Sequence, residues 1–356
     1  MARLLPGIDY SCLAYITDLL IYFTMGKSFF KTFGAAFSVV GAVIGAGFIT
    51  GGEITVFFLR DFSLSGVYCA FIYYAILIFT AGDDYNKVLS FIICFADIIV
   101  LGCMFSAVDE LSTVIFGLSE KLKIFKIILA ILTFFMSNRG TKVLSKVSAV
   151  IMPLVILSVL LVVSRGTVKT VVLTPSGLIG ALMPLTYAAA NYLLIYPVIV
   201  KTCGQLCVKI KLFVAILSSA IIFSLVFFVG ANLSGVSDMT KMPLLTFAEK
   251  TPFSVLFKIC CFCAVFTASV SSSYSAYSAF GNNERLKFLA CLTALALSEA
   301  GFSAVIGYLY PLLGVVGAVV GAVNFSRIIF PPRLLKRTSA PPKYKVLRYS
   351  PLRDRV

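Results

Sequence analysis

The chain has 356 residues, 60% of them hydrophobic and only 13% charged, with a mean hydropathy of +1.02. That is far too apolar for a water-soluble domain and implies an integral membrane protein. Histidine and tryptophan are both absent, which excludes His-based triads, His metal clusters and His haem ligation, and disfavours an enzyme.

The net charge of +15 does not call for a nucleic-acid partner, because nine of the 30 Lys and Arg lie between Arg327 and Arg355. A basic tail of that kind suits an anionic cytoplasmic leaflet. In chain order, residues 1–24 come first. The apolar stretch from Cys12 to Thr24 is short, carries Asp18 and has no small-residue cleavage site, so it reads as neither a span nor a signal peptide. Met25 followed by GKSFFKTFG is an ordinary basic start, and residues 1–24 are expected to be an upstream mis-start or a disordered extension.

A membrane helix needs about 20 apolar residues to cross about 30 Å of hydrocarbon. On that rule residues 25–330 form an all-α domain of ten spans, near 33–58, 64–81, 88–108, 121–137, 143–164, 178–200, 208–230, 253–278, 285–300 and 311–330. The turns AGDDYNK, SNRGTK, SRGT, KTCGQ and GNNER separate them. Residues 331–356, with Pro341 and Pro342 among Lys and Arg, form an extended basic tail. The distribution of Lys and Arg places both ends in the cytoplasm. Cys69, Cys94, Cys103, Cys260, Cys261, Cys263 and Cys291 lie in apolar runs and read as small buried thiols, and Cys203 with Cys207 lacks the partners of a zinc site.

Span 1 is the most informative segment. Its core, FSVVGAVIGAGFITGGEITVFF, places five glycines and Glu53 where a plain anchor would be continuous and apolar. Each interior Gly costs about 1 kcal/mol relative to Ala, and an acid at membrane depth at least about 2.5 kcal/mol. Backbone that unwinds in a membrane must line a protein cavity, and transporters use such half-helix ends to hold substrate charges and ions. Helix packing through a GxxxG motif is the competing explanation for Gly41 and Gly45, but it leaves Glu53 unexplained. Five spans later, LMPLTYAAANYLLIYPVIV interrupts span 6 with Pro184, Asn191 and Pro197, as an inverted repeat requires.

With GAVIGAGFITGGEI in span 1, LGCMFSAVDE at the end of span 3, TYAAANY in span 6, FTASVS in span 8 and GFSAVIGYLYPLLG before span 10, the chain resembles the amino acid-polyamine-organocation superfamily. Its motifs resemble in particular the YkvI-like branch of putative amino-acid permeases. The resemblance implies the LeuT fold, a five-plus-five inverted repeat with broken helices 1 and 6. It also implies a substrate carboxylate held at Gly45, Ala46, Gly47 and Phe48, with the unwound part of span 6 at Tyr187 to Asn191. A sodium ion would sit among Gly41, Ile44, Ala264 and Thr267. The second hydroxyl expected after Thr267 is Ala268 here, so Ser271 would have to replace it.

The residues themselves add further candidates. Thr267, Ser271, Ser275 and Ser278 recur on one face of span 8, either to satisfy their own helix or to line a polar path. Asp97 is the other acid at membrane depth, suited to a pathway or to structural hydrogen bonding. Asp109, Glu110, Glu120 and Glu299 read as solvated loop acids, and Tyr192, Tyr196, Tyr308 and Tyr310 as path-lining or interfacial residues. Together these imply a secondary transporter of a small amino acid or related zwitterion. Sodium or protons would provide the coupling, Glu53 or Asp97 would serve the amine or carry the proton, and the lipid bilayer and a small-molecule substrate are the partners. The alternative is a ligand-sensing subunit of the same fold, similar to spore germinant receptors. The sequence carries no GxxxxGK[ST] fingerprint of an ATP-driven pump.

Overall fold

The computed structural model describes residues 26–82, 87–117, 123–166, 177–204, 206–234, 242–300 and 309–329. The N-terminal extension, the basic tail, Glu120 and Tyr308 lie outside the described residues. Within them the protein is all helical. In chain order the helices are α1 (Gly26–Val43), α2 (Ala46–Ile49), α3 (Gly52–Phe57), α4 (Leu64–Thr80), α5 (Lys87–Phe116), α6 (Ile124–Ser137), α7 (Thr141–Val163) and α8 (Leu178–Leu194). The second half continues with α9 (Tyr196–Cys203), α10 (Val208–Leu233), α11 (Pro243–Glu249), α12 (Ser254–Ser278), α13 (Glu284–Leu297) and α14 (Tyr310–Ile329).

Each of the ten apolar segments holds helix. Span 1 is divided among α1, α2 and α3, span 6 between α8 and α9, and α11 is a short helix between spans 7 and 8. Five helices, those of spans 3, 5, 7, 8 and 10, are each long and apolar enough to cross a bilayer, and the bent α8–α9 pair makes a sixth. Outward-facing apolar stripes follow helical spacing, as in Val150, Leu154 and Leu157 on α7 and Leu312, Val315, Val319 and Val323 on α14. Such stripes suit hydrocarbon, and the protein is a multi-pass membrane protein. Cys69 shares this outer surface rather than the core, because α4 presents it on the same exposed side as Tyr68, Ile72 and Ile76.

Close backbone approach holds the helices together where lipid supplies no hydrophobic drive. Span 10 packs along span 6 through Gly317, where an added Cβ would lie 2.0 Å from the carbonyl oxygen of Ala189. Spans 3 and 5 each pack on span 8, with α12 against both α5 and α7. The result brings the broken spans 1 and 6 together inside, with α9 against α1 and α3 against α8.

Span 3 is longer than expected. Helix α5 runs to Phe116, so Asp109 and Glu110 lie within it rather than in a solvated loop. The extension is stabilised by Lys126 of α6, whose ammonium lies 2.9 Å from Asp109 and 2.7 Å from Glu299. Glu299 is 56% exposed and also meets Lys123. These acids therefore tie the ends of spans 3, 4 and 9 together instead of being merely solvated.

Candidate functional site

Span 1 is broken twice. Helix α1 ends at Val43, and Gly45 takes an extended conformation (φ −102°, ψ −161°) before the single turn of α2. The Ala46 amide points at Met104 Sδ, 3.5 Å away on α5. The second break falls at Thr50–Gly51, where Gly51 adopts φ +85°, a conformation open to glycine at little cost. The Thr50 carbonyl accepts from the Leu244 amide of α11 at 2.9 Å, so backbone freed inside the membrane is capped by protein. The sequence located the first break; the second came from the same glycine run but was not separated from it.

Glu53 occupies the first turn of α3, only 1% exposed. Its side chain folds back over α2 so closely that a Cβ on Gly47 would lie 2.2 Å from Glu53 Oε1. The rings of Tyr187 from span 6 and Tyr310 from span 10 stand beside the carboxyl, and both hydroxyls interact with it. Glu53 Oε2 has no well-formed hydrogen-bond partner, and no lysine or arginine among the described residues pairs with the acid. Phe57 and Phe58 pack on Tyr187 with ring centroids 5.5 and 5.3 Å apart, closing one side. Gly45, Ala46, Gly47 and Phe48 are all buried around this point.

Span 6 bends by 65°, at Ile195, between α8 and α9. The expected unwinding at Tyr187 to Asn191 is therefore corrected: that stretch is continuous helix, and the Asn191 side-chain amide donates to the Tyr187 carbonyl 3.1 Å away, one turn back. The break lies further on because Pro197, in the first turn of α9, lacks the N–H that the Leu193 carbonyl would otherwise receive. Asn324 of α14 spans the bend, donating to the hydroxyls of Tyr192 and Tyr196 at 2.9 and 3.3 Å. Tyr196 in turn donates to the Gly82 carbonyl at 2.7 Å. Both tyrosines are interior struts, and Tyr310 is buried as well, so none of the three is an interfacial ring.

The residues considered for sodium are all buried. Gly41 faces Ser148 and Met152 of α7, Ile44 continues the hydrogen bonding of α1 to Val40, and Ala264 and Thr267 lie on α12. The Thr267 hydroxyl donates within its own helix, to the Ala264 carbonyl at 2.9 Å, leaving only its lone pairs free. Ser271 Oγ, one turn on, is buried with no hydrogen-bond partner among the described residues.

Asp97, fully buried in the middle of α5, meets Ser275 of α12 in a short hydrogen bond. Ser275 Oγ also lies 3.1 Å from the carbonyl oxygen of Leu194, the last residue of α8 before the bend. Among the described residues Asp97 Oδ1 has no hydrogen-bond partner and no cation pairs with the acid. Sequence spacing singled out Asp97 and the hydroxyl face of span 8 but gave no sign that they meet at the span 6 hinge.

An all-helical membrane protein with two facing discontinuous spans, each the first of a five-span unit, has the fold of LeuT-type transporters. No protein-family model matches the chain, and the comparison with curated proteins likewise finds no match. Among solved structures it is similar to Mhp1, a nucleobase-cation-symport-1 family transporter in a closed conformation with bromovinylhydantoin bound. The TM-score is 0.58 at 13% identity, over 84% of this chain and 78% of that one. It is also similar to the Eremococcus coleocola manganese transporter in complex with an aromatic bis-isothiourea substituted compound, with TM-score 0.51 and 15% identity over 86% and 78% of the two chains. At these identities the likeness establishes the fold.

Proposed function

We propose that the protein is a secondary active transporter of a small amino acid or related zwitterion, working by alternating access with both termini in the cytoplasm. The observation that carries this reading is Glu53: a buried acid without an ion-pair partner among the described residues, seated between the double break of span 1 and the aromatic rings of spans 6 and 10. Such an acid is costly unless it serves a ligand or an ion. A substrate ammonium would supply the missing partner of Glu53 Oε2 and displace its carboxyl from Gly47. The uncovered backbone of α2 would then be free to meet the substrate carboxylate.

The site chemistry favours an organic cation or zwitterion over a transition metal. Among the described residues no three His, Cys, Asp or Glu side chains converge, whereas metal sites in proteins gather several such donors. The coupling ion is sodium, between Gly41, Ile44, Ala264, Thr267 and Ser271, or a proton carried on Glu53 or Asp97.

The test is uptake of labelled small amino acids into proteoliposomes with an imposed sodium or proton gradient. Accumulation above the outside concentration supports the reading. Saturable binding with no accumulation under either gradient would replace it with a ligand sensor of the same fold.

A further inference from the structure

We propose that Asp97, Ser275 and the Leu194 carbonyl form a proton-operated latch on the span 6 hinge, with Asp97 protonated when the latch is closed. This deepens the transporter reading by assigning the proton as the coupling ion, and it rests on that reading only for its role in transport. The inference begins from donor counting. Ser275 has one hydroxyl hydrogen, yet its oxygen lies within hydrogen-bond distance of both Asp97 Oδ2 and the Leu194 carbonyl oxygen. Both neighbours are acceptors if Asp97 is ionised, and one of them then goes without a donor.

One added proton resolves the conflict. A protonated Asp97 donates from Oδ2 to Ser275 Oγ, and Ser275 donates its own hydrogen to Leu194. The remaining oxygen of Asp97 supports the same state, since Oδ1 is buried without a partner. A bare carboxylate oxygen in that position is far more costly than the carbonyl oxygen of a neutral acid.

Among the described residues no cation pairs with Asp97 to hold it ionised. Helix α12 presents the Ser275 hydroxyl to Asp97, and α8 presents the Leu194 carbonyl to Ser275. Cys94 on α5 and the Tyr310 hydroxyl on α14 are the titratable groups that interact electrostatically with the acid. On the other packed helices Lys287 pairs with Glu284 on α13, and Lys126 of α6 with Asp109 and Glu299. Tyr310 also interacts with Glu53.

The consequence concerns the hinge. When Asp97 gives its proton to water, the carboxylate draws the Ser275 hydrogen to itself, and the Leu194 carbonyl loses its side-chain donor. That carbonyl closes α8 at the 65° bend. Deprotonation therefore releases the C-terminal end of α8, at the hinge, from α12, and protonation fastens it.

The test needs no substrate. The full chain is placed in lipid nanodiscs in a Glu53→Gln background, which removes the other buried acid among the described residues, and infrared difference spectra are recorded against pH. Hydrogen exchange of residues 190–204 is measured on the same samples. At neutral pH a protonated carboxylic acid band should be present, lost in Asp97→Asn and shifted in Ser275→Ala. Exchange of 190–204 should accelerate as pH rises through the midpoint of that band, and this step should disappear in Asp97→Asn.

Absence of the band at neutral pH, or exchange that responds to sodium at fixed pH and not to pH, would overturn the latch. If Asp97→Asn does not fold, the Ser275→Ala shift and its loss of pH-linked exchange decide the matter. A positive result together with no gradient-driven uptake would leave the latch standing and refute the transporter reading alone.

Discussion

Gly47 and Glu53 share one space: the carboxyl of Glu53 fills the volume that any side chain at position 47 would need, with Oε1 2.2 Å from where its Cβ would be. Two turns of a doubly broken span therefore specify each other, the glycine by having no side chain and the acid by folding back over it.

That relationship predicts the effect of Gly47→Ala. The methyl group must push the Glu53 carboxyl out of its seat, an overpacking change of about 1–3 kcal/mol. The variant is expected to melt at a lower temperature than the wild type, and Gly47→Ala combined with Glu53→Ala is expected to regain part of the loss. A double-mutant cycle on melting temperature measures this, and additive effects would show that the two positions are not coupled.

Span 10 supplies a packing prediction that does not depend on function. Gly317→Ala would place a methyl 2.0 Å from the backbone oxygen of Ala189, which cannot rotate away, whereas a Cβ at Gly82 meets nothing within 4 Å. Gly317→Ala should lower the melting temperature by several degrees, with Gly82→Ala close to wild type. Equal values for the two variants would contradict the described fit of span 10 on span 6.

The ion cluster at the ends of spans 3, 4 and 9 predicts a pH dependence. The ammonium groups of Lys123 and Lys126 hold the Glu299 carboxyl down, from 4.5 to about 2. A depressed carboxyl contributes stability above its unfolded value and loses it as pH falls through the folded one. The stability difference between wild type and Glu299→Gln should therefore be full above about pH 5 and vanish near pH 2. Because Glu299 is largely exposed, the difference should not exceed about 1 kcal/mol. Thermal melts across that range check it.

Much of this architecture can be read from the sequence, and the exceptions share a cause. Apolar run length and turn residues located the helical segments, and glycine density with an acid at membrane depth located the break in span 1. Local pattern could not decide where span 6 bends, since Pro184, Asn191 and Pro197 all interrupt it. The bend follows the missing amide of Pro197, while Asn191 satisfies itself within the helix. Asp109 passed for a loop acid because its partner Lys126 comes 17 residues later on another helix. The meeting of Asp97 with Ser275, and of Glu53 with Tyr310, joins residues 178 and 257 positions apart. Such pairs leave no trace in spacing or composition.

The most direct measurement compares gradient-driven uptake with substrate exchange in wild type and Glu53→Gln, reconstituted in the same vesicles. The wild type should concentrate a small amino acid. Glu53→Gln should fold and either lose gradient-driven uptake while keeping exchange, as a proton-carrying acid requires, or lose affinity in both assays while remaining coupled, as an amine-binding acid requires. Wild-type behaviour of Glu53→Gln in both assays would contradict the account and leave Glu53 as a structural acid.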